Sequence, residues 1–202
     1  MICVVDYGVG NVRAFMNIYN RLGIPVRAAT SPEELSQADR IILPGVGAFD
    51  WALRRLNESG MRTMLEQLVL EKRLPVLGVC VGMQMMAKRS EEGELPGFGW
   101  FDAEVRRFDE SQIQSRTHLP HMGWNDIEPT DCKLFSDIPE PRYYFLHSYY
   151  WHPISGAHTV ATTKYGLSFP SAVANENIFG VQFHPEKSHH CGVKLLRNFT
   201  EL

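Results

Sequence analysis

The chain has 202 residues, 44% hydrophobic and 21% charged, with a formal net charge of −3. Those values suit a single globular domain spanning 1–202 with a buried core, and they exclude the basic face that nucleic acid as the main partner would need. No segment is apolar for long enough to read as a membrane span, the start MICVVDYG lacks the pattern of a signal peptide, and Cys3, Cys80, Cys132 and Cys191 form no CxxC pair, which together fit a cytoplasmic protein with free thiols.

In chain order, ICVVDYG reads as a strand entering a turn. NVRAFMNIYNRLG follows as a helix, with Val12, Phe15, Met16 and Tyr19 at helical spacing and Gly23 as its stop. PVRAAT is a second strand. SPEEL opens a short helix, capped by Ser31 with Pro32 at its first position. RIILPGVG is a third strand, and Leu53 to Leu68 spaces out two helical pieces broken near Gly60. PVLGVC is a fourth strand, with GMQMMAKRS as the helix after it. Strands alternating with helices predict a parallel sheet covered on both faces. The second half changes: GWFDAEVRRF, HMGWNDIEP, RYYFLHSYYW, HTVATTKY and FPSAVANENIFGVQFHP are aromatic and β-branched, and read as antiparallel strands with a hairpin turn at ANEN. The tail SHHCGVKLLRNFTEL returns to helical spacing. The expected architecture is α/β, a central mixed sheet flanked by helices.

GVCVG places Cys80 between Gly78 and Gly82 at a strand-to-helix junction, the form of a nucleophile elbow. Small residues two positions either side let the tight turn approach its neighbours, and a following helix start favours the thiolate. The Val81 N–H would face a developing oxyanion. Taken alone, the stretch fits a buried core thiol equally well. In VQFHPEKS, His184 and Glu186 stand two apart; in an extended backbone their side chains share a face, so the carboxylate can orient one imidazole nitrogen and leave the other for Cys80. The same stretch alone also fits a surface turn. LPGVGAF puts Gly45 and Gly47 after the third strand, where backbone N–H groups can present to an anion, although an ordinary turn fits too. His189, His190 and Cys191 are adjacent on one helix and point in different directions, so no metal site is expected. No cofactor is expected.

PGVGAF, GVCVGMQ and GVQFHPEKS, in this order and spacing, resemble the class I, triad-type glutamine amidotransferases. DYGVGN, HMGWN and YYFLHSY narrow the resemblance to the glutaminase subunits of imidazole glycerol phosphate synthase, across essentially the whole chain. The resemblance implies that Cys80 attacks the side-chain amide of L-glutamine, with His184 and Glu186 completing a triad and Gly45, Gly47 and Val81 around the oxyanion. It implies that Gln84, Glu92, Ser148 and Tyr149 hold the glutamine head group. It further implies a TIM-barrel cyclase partner in a heterodimer that receives the ammonia for histidine biosynthesis, docked through Asn11, Trp124, Tyr144 and Lys187. Val81 departs from the leucine common after the nucleophile. DYGVGNVRAFMNIYNRLG also resembles a second group of such glutaminases, which supply a sugar amidotransferase in surface-polysaccharide synthesis; the glutaminase motifs do not separate the two, because the acceptor chemistry lies on the partner.

Overall fold

The computed structural model describes residues 1–114, 118–154 and 158–202. The four apolar runs of the first half form β1 (Ile2–Val5), β2 (Val26–Ala29), β3 (Arg40–Gly45) and β4 (Val76–Cys80). β1 and β4 are buried at every position, as strands covered on both faces must be. The helices between them are α1 (Val12–Arg21), α2 (Pro32–Leu35), α3 (Phe49–Glu58) and α4 (Met61–Glu66). α1 buries Val12, Phe15, Ile18 and Tyr19 on one stripe, each apolar side chain worth roughly 1.5–3 kcal/mol when fully buried. Ser31 Oγ accepts the Glu34 N–H at 3.3 Å and so caps α2. Gly60, at φ +72°, makes the break between α3 and α4.

After β4 come α5 (Val81–Gln84), β5 (Arg89–Ser90), β6 (Ala103–Arg107), β7 (His121–Asp126), β8 (Glu128–Pro129), β9 (Arg142–His147) and β10 (Tyr149–Pro153). The chain closes with β11 (Thr159–Tyr165), β12 (Leu167–Asn175), β13 (Ile178–Val181) and α6 (His189–Phe199). The main sheet runs β2-β1-β3-β4-β13-β12-β11-β8. Its first five strands are parallel neighbours, and β12, β11 and β8 continue it antiparallel. β13 is decisive for the site. It pairs antiparallel with β12 through the ANEN turn and parallel with β4, so the residues after Val181 emerge beside the end of the Cys80 strand.

Two elements differ from the sequence expectation. The helix after Cys80 stops at Gln84. Met85, Met86 and Ala87 are all fully buried, and in a continuing helix their carbonyls would accept N–H groups about four residues further on. Their carbonyls instead accept N–H groups of Phe98, Phe101 and Gly99. RYYFLHSYYW breaks at Ser148: β9 pairs with β7, while β10 joins β6 and β5 in a separate small sheet.

Candidate active site

Cys80 ends β4 with φ +56° and ψ −113°, a backbone region that costs a non-glycine residue about 1–3 kcal/mol. The elbow is pressed against the end of β3. A Cβ on Gly82 would stand 2.0 Å from the Leu43 carbonyl oxygen, and one on Gly45 would stand 2.4 Å from the Gly82 nitrogen. The small residues around Cys80 are therefore steric requirements. α5 is a single turn, so its start offers free N–H groups rather than the summed dipole of a long helix.

His184 follows β13 and enters a short turn, Pro185–Lys187. The extended geometry expected from the sequence ends at His184 itself; the Pro185–Lys187 turn brings the side chains together, with His184 Nδ1 3.0 Å from Glu186 Oε1. Both side chains are 2% exposed. The turn is pinned to β9: the His184 N–H donates to the Tyr144 carbonyl at 2.8 Å, the Tyr144 N–H to Ser188 Oγ at 3.0 Å, and Ser188 Oγ to the His184 carbonyl at 2.6 Å. Burial pulls the His184 pKa down, but the charge and hydrogen bond of Cys80, then those of Glu186, outweigh it and push the value up to about 10. The raised value favours a protonated His184 ring between Cys80 and Glu186.

Cys80, Val81 and His184 line a cavity of about 360 Å³, together with Val46 and Gly47, and with Gln84, Glu92, Ser148 and Tyr149. Gly45 packs beneath the elbow, while Val46 and Gly47 carry the exposed part of the loop. Gln84 Nε2 donates to the Tyr149 carbonyl at 3.2 Å and to Gln182 Oε1 at 3.1 Å. Glu92 Oε2 accepts the Phe49 N–H at 2.9 Å, at the start of α3 and directly after the Gly45–Ala48 loop. Asp50 returns the contact by accepting the N–H groups of Glu94 and Leu95, each at 3.1 Å. Burial, more than any other influence, raises the Glu92 carboxyl above its ordinary value.

Three residues with no role in the sequence reading belong to this site. Gln182 Nε2 lies 3.8 Å from Cys80 Sγ. His147 lines the cavity, and its Nδ1 lies 2.7 Å from the Tyr149 carbonyl. His147 Nε2 is 2.9 Å from His121 Nδ1, and His121 Nε2 is 3.1 Å from Asn125 Nδ2. A carbonyl only accepts, so His147 Nδ1 carries its proton and the chain runs one way, from Asn125 through His121 and His147 to Tyr149. Burial lowers the pKa of His121 to about 4 and, with the neighbouring His121, that of His147 to about 3, so both rings are neutral. The signal was present in sequence: HMGWN and YYFLHSY carry the two histidines, which stand opposite each other in the β7–β9 register.

Trp124, Tyr144 and Lys187 form one surface cluster. Trp124 is 41% exposed, stacks on His189 at 5.0 Å and meets Tyr144 edge-on. The Lys187 ammonium stands 5.7 Å over the Tyr144 ring. Met122 and Leu146, paired in the same register, are exposed beside them, and Leu146 also lines the cavity. Asn11 is exposed at the start of α1, and its neighbour Gly10 abuts Pro44, at the same end of the sheet as Cys80.

The family model for class-I glutamine amidotransferases matches residues 3–202. The chain belongs to the class-I glutamine amidotransferase family. A protein of Bdellovibrio bacteriovorus named imidazole glycerol phosphate synthase subunit HisH is 53% identical, with 100% of each chain aligned. A protein of the same name from Leptospira interrogans is 47% identical over 100% of each chain, and subunit HisH 2 of Pseudomonas aeruginosa is 46% identical over 100% of each. Among solved structures, a crystal structure of a glutamine amidotransferase superposes with TM-score 0.77 at 22% identity, covering 99% of this chain and 97% of that one. PurLQS of Thermotoga maritima superposes with TM-score 0.71 at 19% identity, covering 99% and 97%. These structures share the fold of this class-I amidotransferase. Among its described residues, no helix is long and apolar enough to cross a membrane, and none of the four cysteines is in a disulfide.

Proposed function

We propose that this class-I amidotransferase is the glutaminase subunit of an imidazole glycerol phosphate synthase, acting in the cytoplasm in histidine biosynthesis. The observation that carries the reading is the convergence of Cys80 and His184 on one cavity, with the buried Glu186 bonded to the His184 ring. The names of the relatives aligned over their full length supply the pathway. The Cys80 thiolate attacks the amide carbon of L-glutamine, and the carbonyl electrons collect on an oxyanion received by the Val81 N–H and the Gly45–Gly47 loop. His184, its Nδ1 held by Glu186, gives its proton to the amide nitrogen. The C–N bond breaks, ammonia leaves, and a thioester remains. Water then attacks the thioester while His184 takes its proton, releasing glutamate and the thiolate. Gln84, Glu92, Ser148 and Tyr149 hold the amino-acid head group.

Ammonia released into bulk water protonates near neutral pH and loses its nucleophilicity, so its consumer must dock at the cavity. The exposed apolar side chains of Met122, Trp124 and Leu146, with the half-buried Tyr144 among them, reach the cavity through Leu146 and suit a protein partner. We assign it to the TIM-barrel cyclase subunit, with Asn11 and Lys187 at the same interface. A diazoketone analogue of L-glutamine should label one thiol per chain, and peptide mapping should place it on Cys80. Cys80→Ala should abolish glutamine-dependent synthesis with the cyclase while complex formation persists. Glutamine hydrolysis surviving in that variant, or a label on another cysteine, overturns the triad. Coupling to a sugar amidotransferase subunit but not to the cyclase overturns the pathway.

A further inference from the structure

The proposed reaction brings a zwitterion into a partly enclosed cavity. With its amide carbon at Cys80, L-glutamine places its ammonium and carboxylate four bonds further along, away from the sulfur. Both charges lose water there, which is costly unless each meets a counter-charge. Glu92, half-buried on the cavity wall, answers the ammonium. Among the described residues, two side chains on that wall are permanent cations, Arg107 and Lys187. Lys187 belongs to the triad end: it follows Glu186 and stands over Tyr144.

Arg107 belongs to the opposite end. It ends β6 directly across from Tyr149 on β10, and its N–H donates to Glu91 Oε2 at 2.7 Å, on the loop that carries Glu92. Its guanidinium is oriented by Glu110, whose Oε1 accepts from Nη2 at 2.8 Å, and by the Tyr149 side chain. A guanidinium has five N–H donors, so these contacts fix its plane and leave donors for a carboxylate.

We infer that Arg107 is the specificity-determining residue that receives the α-carboxylate of L-glutamine, at the same end of the cavity as Glu92. The inference rests on the glutaminase reading above and adds the cation that reading lacks. No other permanent cation among the described residues lines the head-group end, and Arg107 is tied through Tyr149 and Glu91 to the residues assigned to the head group.

The test compares rates of Cys80 alkylation by three electrophiles: the diazoketone analogue of L-glutamine, the same compound with its α-carboxylate converted to a carboxamide, and iodoacetamide. The unaltered chain should prefer the carboxylate form over the carboxamide. Arg107→Ala and Arg107→Gln should slow the carboxylate form about 10- to 100-fold, the worth of a charged hydrogen bond, and leave the other two rates unchanged. Arg107→Lys should fall between, since a point charge replaces a fork. Equal slowing of all three reagents would mean that Arg107 only supports the fold, and an unchanged carboxylate rate would remove it from the site; either result overturns the inference. Failure of both diazoketones to label Cys80 in the unaltered chain, while iodoacetamide does label it, would instead count against the glutaminase reading itself.

Discussion

The two walls of the Cys80 cavity are built by opposite means. On one side, β3, β4 and α5 meet backbone to backbone, and the wall is defined by where a Cβ cannot go. On the other, β9, β10 and the Pro185–Lys187 turn are held by side chains bonded in sequence: Ser188 to the turn, His121 and His147 to Tyr149, Gln84 across to Gln182. The difference matters for how each wall fails. The steric wall breaks when an atom is added, and the polar wall when a partner is removed. The proposed reaction by way of Cys80 draws on both, one to aim the sulfur and the other for the proton relay and the substrate bonds.

The largest expected effect comes from overfilling the steric wall. Gly82→Ala puts a methyl 2.0 Å from the Leu43 carbonyl oxygen, a backbone atom that cannot swing aside. We expect a loss of about 3 kcal/mol or more in unfolding free energy, read by denaturant titration, with Cys80 labelling lost in whatever folds. A near-neutral result would show that β3 and the elbow can separate.

Removing charge from the polar wall comes next. Glu186→Gln should cut glutamine hydrolysis about 100-fold or more, with the fold retained. It should also change the pH dependence of stability. His184, raised from 6.5 to about 10, holds its proton more tightly folded than unfolded. Its contribution is whole below pH 6.5 and is lost as pH rises towards about 10. Unfolding free energies across that range should decline in the parent chain and decline less in Glu186→Gln; parallel curves would show that Glu186 does not set the His184 charge.

A subtler break is His121→Phe. The ring can keep its stack on Tyr165 and Phe145, but His147 Nε2 loses its donor in a buried place. The expected cost is about 1–3 kcal/mol, with a modest slowing of Cys80 labelling by the glutamine analogue. No change in either would mean the histidine chain is incidental to Tyr149. The smallest effect lies away from both walls: Ser31→Ala removes the cap of α2 and should cost about 1 kcal/mol without touching activity. A matching loss of activity would show that the steric wall senses distant helix ends.

The legibility of the chain follows the same division. The parallel half was readable because each strand is a continuous apolar run and each helix carries its own stripe and stop, as in β4 and α1. The elbow and the His184–Glu186 contact were readable because GVCVG demands small neighbours at fixed offsets and His184 and Glu186 are close in sequence. Other features were not. The helix after Gln84 was read too long, since helical propensity says nothing about the Gly97–Phe101 loop that takes its carbonyls. His121, His147, Gln182 and Arg107 were passed over, because each becomes part of the site only through a cross-strand partner distant in sequence.

The sequence by itself therefore determined the alternating α/β architecture, the elbow at Cys80 and the His184–Glu186 pair, all of which depend on local sterics and spacing. Only the tertiary structure decided that β13 lies beside β4 and so delivers His184 to the thiol. It also decided that the imidazole–carboxylate contact comes from a turn rather than a strand, and that Glu92, Tyr149 and Arg107 gather at one end of the cavity. Strand order and cross-strand register bring together residues far apart in the chain, and no local pattern of residues encodes that choice.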